Sequence, residues 1–178
     1  MAKTGFIALA LLLILGAGTA ALLHADDDRG RERHGKRQQH AQDAPPNADY
    51  AAACGECHFA YQPWLLPAAS WQKLVDGLDD HFGSAVVVTA AQRQSLLASL
   101  TQNAADKNAG KRGRKMLRGL NGQAPLRITE TPCFTRKHSN LGAAVFKRPS
   151  VGGAGNCPAC HSTAAQGDYD DDNVRVPK

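Results

Sequence analysis

The sequence predicts a mainly helical protein in two halves, each carrying one Cys-x-x-Cys-His motif. Three observations lead there. Apolar residues recur at helical spacing beside recognisable cap residues, as in the stripe Trp71, Leu74, Val75, Leu78 and Phe82. Pro- and Gly-rich stretches such as YQPWLLPAAS read as irregular loops between these segments. The run Cys54-Gly55-Glu56-Cys57-His58 returns as Cys157-Pro158-Ala159-Cys160-His161, and the chain shows no other internal repeat.

The first 25 of the 178 residues differ from the rest. Lys3 precedes an apolar run over residues 6–15, then the small residues GAGTAALLHA, then DDD. That order reads as a secretory signal peptide, residues 1–25. The apolar run through Leu23 nearly suffices to span a bilayer, so an uncleaved N-terminal anchor, and with it membrane attachment, is the alternative. Gly16 and Gly18 break the apolar zone and favour cleavage after Ala20 or Ala25. Export follows from either reading, and places the protein in the periplasm. Loss of Lys3 lowers the net charge from +5 to +4.

Residues 26–48 are almost wholly polar and mixed in charge, with too few apolar side chains to offset ordering entropy, and read as a flexible linker. His24, His34 and His40 have no shared face and read as solvated. The folded part begins near Asp49 and divides into residues 49–122 and 123–178, one motif in each. Aromatic residues are only 6% of the chain and Gly numbers 17, so a polypeptide core alone is thin, and a buried cofactor would help complete it.

In chain order, residues 48–57 suit a short helix after Pro46, with Asn47 as cap, leading into the first motif. Beyond the Pro63 and Pro67 loop, Ser70 is placed to cap the helix WQKLVDGLDDHF, whose apolar face includes His81 and whose stop is Gly83. Thr89 caps the next helix, with Leu96, Leu97 and Leu100 inward. GRKMLRGL is a weaker helical stretch with a solvated basic face, and APLRITETP reads as extended. Thr131-Pro132 suits a cap followed by proline at the first helical position, after which Phe134, His138 and Leu141 share a face. Gly152, Gly153 and Gly155 form a turn before Asn156, a cap for a helix carrying the second motif.

Cys-x-x-Cys-His is the attachment pattern of c-type haem. Two cysteines three apart on a helical turn reach two vinyl groups on one side of the porphyrin and form thioethers. The adjacent histidine then faces the iron. Rival chemistries fit less well. A redox dithiol does not call for the histidine, and neither pair has a strand–helix redox context. A four-cysteine zinc site normally draws on pairs close in sequence, whereas Cys57 and Cys157 are 100 residues apart. Two disulfides, usual outside the cytoplasm, leave both histidines unexplained. The reading is two covalently bound haem c groups, attached through Cys54, Cys57, Cys157 and Cys160, with His58 and His161 as proximal iron ligands.

Beyond the leader and linker two further histidines remain, His81 and His138, for the two distal positions. His81 lies 23 residues after His58, and His138 lies 23 before His161. Both sit on apolar faces, where an unpartnered imidazole is costly. The symmetric offsets favour His58 with His81 and His138 with His161; crossed ligation is the alternative. Met116, the rival thioether ligand, reads as core packing. Two histidines on each iron imply low potentials and leave no open coordination position. Electron transfer, not enzymatic catalysis, is the expected role. The rival is a haem enzyme or gas-binding sensor in which one distal histidine dissociates to open the iron.

At these residues the chain resembles the exported dihaem cytochromes c of bacteria. The resemblance runs from about Ala53 to Pro177 and rests on CGECHFAYQPWLLPAASWQKLVDGLDDHFG, LRITETPCFTRKH and NCPACHSTAAQGDYDDDNVRVP. It implies a class I cytochrome c-like N-terminal haem part and a smaller, loop-rich C-terminal haem part. It also implies bis-histidine haems, with the same cysteines and histidines in the roles given above. Its implied partners are redox proteins, namely a membrane cytochrome b and a small oxygen-binding monohaem cytochrome c. Cys133 departs from the family's aromatic residue and reads as a small buried hydrophobe. DYDDDN, residues 168–173, lacks the sixth-place glycine and closing glutamate of a calcium loop and reads as an exposed acidic turn. Arg127 and Arg175 are candidate partners for haem propionates. The basic residues within 111–118 suit anionic lipid or an acidic partner. Nucleic acid is not an expected partner of an exported protein.

Overall fold

The computed structural model describes residues 48–107 and 110–178. The predicted signal peptide or anchor, the linker up to residue 47, the histidines within it and the Asn47 cap lie outside the described residues. Among the described residues the chain is helical with no named strand, and no helix is long and apolar enough to cross a membrane. The described residues form six α-helices in succession: α1 Ala48–Gly55, α2 Ala68–Asp76, α3 Ala90–Gln102, α4 Gly110–Leu117, α5 Pro132–Lys137 and α6 Ala143–Phe146. Short 3-10 turns join them, among them Pro63–Leu65, Leu78–Asp80, Ile128–Glu130 and Cys157–Ala159.

Local chemistry explains several boundaries. Thr89 opens α3 with a reciprocal capping box, its hydroxyl accepting from the Gln92 N–H while the Gln92 side chain accepts from the Thr89 N–H. Thr131 caps α5 the same way on the Phe134 N–H, with Pro132 in the first turn. α2 departs from expectation. Pro67, not Ser70, stands at its N-cap, and Ser70 is fully buried with an unpartnered hydroxyl. The free Ala68 N–H instead donates to Asp106 Oδ1 at 2.8 Å, a carboxylate supplied from beyond α3.

The far end of α2 departs too. The helix stops at Asp76 rather than running on to Phe82, because Gly77 follows and the next turn tightens to 3-10. Arg93 from α3 holds this end, donating to Val75 O at 2.6 Å and pairing with Asp79 at 2.9 Å. A cation at the last carbonyls of a helix satisfies them and complements its dipole. The stretch expected to be extended contains the 3-10 turn Ile128–Glu130, and the second motif lies on a 3-10 turn, not a longer helix. Asn156 makes no cap bond there; its Nδ2 donates to Val151 O.

Two apolar clusters form the core. Tyr50, Leu66, Trp71, Val75, Leu78, Leu96, Leu100 and Ala104 join α1, α2 and α3. Trp64, Leu65, Ala105, Met116 and Cys133 join α4 and α5 around the Pro63–Leu65 turn. Met116 and Cys133 are buried, as expected of a core methionine and a small hydrophobe. Leu96 and Leu100 are buried, and Leu97 is half-buried against the first cluster. Ile128 and Tyr61 pack on both clusters. The loop containing the two prolines is therefore the seam of the molecule, sending Leu66 one way and Trp64 and Leu65 the other.

Candidate functional site

The first motif closes α1 and leads into an irregular segment. Cys54 is half-buried, Cys57 and His58 exposed. His81 reaches this place from a tight loop, where its N–H donates to Ser84 O at 2.7 Å and its carbonyl accepts from the Ser84 N–H. The Gly83 N–H donates to Asp80 Oδ1 at 3.0 Å. The His58 and His81 rings lie 6.2 Å apart between centroids, with planes 27° from parallel.

The second motif repeats the arrangement with other elements. His138 is the C-cap residue of α5, stacked on Phe134 at 4.0 Å. His161 follows the Cys157–Ala159 turn, its N–H donating to Cys157 O at 2.8 Å. A bridge to Val174 and the Arg175 N–H donating to Cys160 O tie the C-terminal segment across the motif. The His138 and His161 rings lie 6.1 Å apart, with planes at 71°.

Both separations match one metal ion held between two imidazoles. Two metal–nitrogen bonds of about 2 Å each, with the two ring radii added, span about 6 Å between ring centres. Tautomers agree with that role. Phe59 O accepts from His58 Nδ1 at 2.8 Å, and Phe134 O accepts from His138 Nδ1 at 2.9 Å. A carbonyl can only accept, so each Nδ1 carries the proton and each Nε2 lone pair is free for a metal. His81 and His161 are held below the usual imidazole range, first by burial and next by the facing histidine. Asp171 and Asp168 partly offset this at His161, while Arg127 adds to it at His81. The neutral form that results is the ligating one. His161 Nδ1 is buried with no partner.

The cysteines fit attachment better than the rival chemistries. No disulfide joins any two of the five cysteines. Burial pushes Cys54 and Cys157 up to about 11, away from the lowered value a reactive dithiol needs. Among the described residues no group of three or more His, Cys, Asp or Glu is placed to hold a metal ion alone. The two histidine pairs and the cysteines beside them thus fit two c-type haems.

The fold also brings in residues that motif spacing did not single out. The Tyr61 ring lies 5.1 Å from that of His58, and its hydroxyl donates to Gly155 O at 2.7 Å, just before the second motif. Gln62, wholly buried, donates to Ala164 O at 2.7 Å and accepts from the Tyr169 hydroxyl, whose ring lies 5.4 Å from that of His161. Tyr61 stands three residues after His58, the one sequence cue to its place. Arg127, read as a propionate partner, stacks on Phe82 at 3.8 Å and lies 3.6 Å from Glu130. Arg175 donates to the Asp172 and Val174 carbonyls. Residues 168–173 form an exposed or half-exposed acidic turn, with Asp168 and Asp170 accepting from nearby backbone N–H groups.

Comparison with known proteins agrees with this chemistry. The family model for dihaem cytochrome c matches residues 50–169. A diheme cytochrome c from Rhodobacter sphaeroides is 35% identical, with a TM-score of 0.64, covering 71% of this chain and 99% of its own. The diheme c-type cytochrome from Shewanella baltica OS155 is 33% identical with a TM-score of 0.61, covering 75% of this chain and 94% of its own. A second Rhodobacter sphaeroides structure is 31% identical with a TM-score of 0.56, covering 71% and 99%. No curated protein sequence matches. With two attachment motifs, two facing histidine pairs and this family match, the chain belongs to the dihaem cytochrome c family and carries two covalently attached c-type haems.

Proposed function

We propose that this protein is an exported electron carrier whose two haems are each held by two histidines, His58 with His81 and His138 with His161. The observation that carries the proposal is the spacing of the two ring pairs, 6.2 Å and 6.1 Å, each that of imidazoles flanking one metal ion. When bound, each haem supplies an iron that cycles between ferrous and ferric states. The chain's residues do the rest. Phe59 O and Phe134 O orient one imidazole in each pair, and Cys54, Cys57, Cys157 and Cys160 fix the attachment. Two imidazoles on each iron favour low potential over the higher potential of a methionine ligand.

Tyr61 lies against His58 and hydrogen-bonds the loop leading to Cys157, which favours a short, rigid connection between the sites. The apolar N-terminal segment supports periplasmic residence, after cleavage or on a membrane anchor. Donor and acceptor are a membrane cytochrome b and a small monohaem cytochrome c, met through small transient interfaces.

Carbon monoxide tests the reading, since it binds ferrous haem only at an open position. The reduced protein is expected to keep its optical spectrum unchanged under carbon monoxide at both haems. Ready binding at either haem would overturn the simple-carrier reading in favour of a gas-binding protein or enzyme.

A further inference from the structure

The four histidine rings are not oriented alike. His58 and His138 are each turned by a backbone carbonyl on Nδ1. His161 is half-buried between the Tyr169 and His138 rings. No ring nitrogen of His81 makes a hydrogen bond among the described residues, and its ring instead meets Phe82 edge-on at 4.8 Å and 65°. Phe82 is itself unusual. Its φ is +57°, a region bulky L-residues avoid, and the residue stays there 46% exposed. The Arg127 guanidinium lies 3.8 Å above that ring, a close cation–π stack, and Glu130 stands 3.6 Å from Arg127 Nε. Packing that holds a strained aromatic against an otherwise unbonded imidazole is a device for orientation.

We propose that Arg127, acting through Phe82, is a positioning residue for His81, fixing the rotation of its ring so that the first histidine pair stays near parallel while the second stays near perpendicular. This rests on the ligation proposed above. Contacts that orient a ligand also tune the metal it holds. In low-spin ferric iron, parallel imidazoles donate into the same d orbital and separate it from its partner, giving a rhombic electron paramagnetic resonance. Crossed imidazoles donate into both orbitals alike and give a strongly anisotropic resonance. The angles of 27° and 71° therefore make the two haems spectroscopically distinct. Arg127 also places a positive charge beside the first pair, which favours its ferrous state.

The test is resonance spectroscopy of the oxidised, haem-loaded protein, with redox titration, on wild type, Phe82→Gly, Phe82→Tyr and Arg127→Gln. Glycine suits φ > 0, so Phe82→Gly removes the ring without adding backbone strain. Wild type is expected to give one rhombic and one strongly anisotropic signal. Phe82→Gly and Arg127→Gln are expected to shift or broaden the rhombic signal alone, Phe82→Tyr to restore it, and Arg127→Gln to lower the potential of that haem only. A rhombic signal unmoved by both substitutions, or both signals moving together, would overturn the role of Arg127 and Phe82. Two indistinguishable low-spin signals in wild type would overturn the inequivalence, and fewer than two low-spin haems would overturn the ligation beneath it.

Discussion

Tyr61 shows how much one side chain does in so small a core. Its ring lies against His58, and its hydroxyl donates to the Gly155 carbonyl 94 residues away. Burial, with Cys157 close by, raises its phenol up to about 12, so it stays a neutral donor. Gly155 allows the approach: a Cβ there would lie 2.8 Å from the Tyr61 hydroxyl oxygen. Gly155→Ala is therefore expected to push Tyr61 off its carbonyl and cost about 1–3 kcal/mol, as overpacking does. Tyr61→Phe, which loses the bond without a clash, is expected to cost only about 1 kcal/mol. Denaturant titration of both variants checks the order, and equal costs would show that the close approach at Gly155 is not what matters.

At the scale of elements, two threonine caps invite comparison. Thr89 is exposed, and Thr89→Ala is expected to cost about 1 kcal/mol. Thr131 is fully buried, accepts from the Phe134 N–H and donates to Ile128 O, so Thr131→Ala leaves the Phe134 N–H without its acceptor, while Ile128 O keeps the backbone N–H of residue 131. Its expected cost is about 1–3 kcal/mol, larger than at Thr89 because the N–H it leaves open lies in a buried setting. It also loosens α5, whose last turn presents His138, so the spectrum of the second haem should change while that of the first does not. Thermal melts and optical spectra of the two variants measure both effects.

These caps were legible in the sequence because a cap is a contact between residues three apart. The ends of α2 were not. Its true N-terminal partner, Asp106, lies 38 residues from Ala68, and Arg93, which closes its far end, comes from the next helix. Helical periodicity put His81 on a continuous stripe with Leu74 and Leu78, but the chain leaves the helix at Gly77 and carries His81 on a separate loop. The motif cysteines and histidines were legible because haem attachment needs fixed spacing. The meeting of His81 with His58, and of His138 with His161, is a tertiary event that symmetric offsets favoured without excluding crossed pairs. Phe82 reads as core in sequence, yet stands half exposed at positive φ, because a left-handed aromatic has no one-dimensional signature.

At the scale of the whole molecule, the two motifs share one seam. Gln62 is wholly buried and bonds both Ala164 O and the Tyr169 hydroxyl, while Ile128 and Tyr61 pack on both clusters. Gln62→Leu leaves the Tyr169 hydroxyl without its acceptor, while Ala164 O keeps the Gly167 N–H, and is expected to cost about 1–3 kcal/mol. Because the seam is shared, unfolding followed by far-UV dichroism and by haem absorbance should give coincident transitions in wild type. Separate transitions would mean that the halves are independent.

In the ligation proposed above, four histidines in two defined pairs hold two irons closed. His81→Ala and His138→Ala test it most directly, by counting low-spin haems in the oxidised protein. Wild type is expected to show two and each variant one. His81→Ala should lose the signal of the haem attached at Cys54 and Cys57, and His138→Ala that of the haem at Cys157 and Cys160. Two low-spin haems surviving in both variants would contradict it.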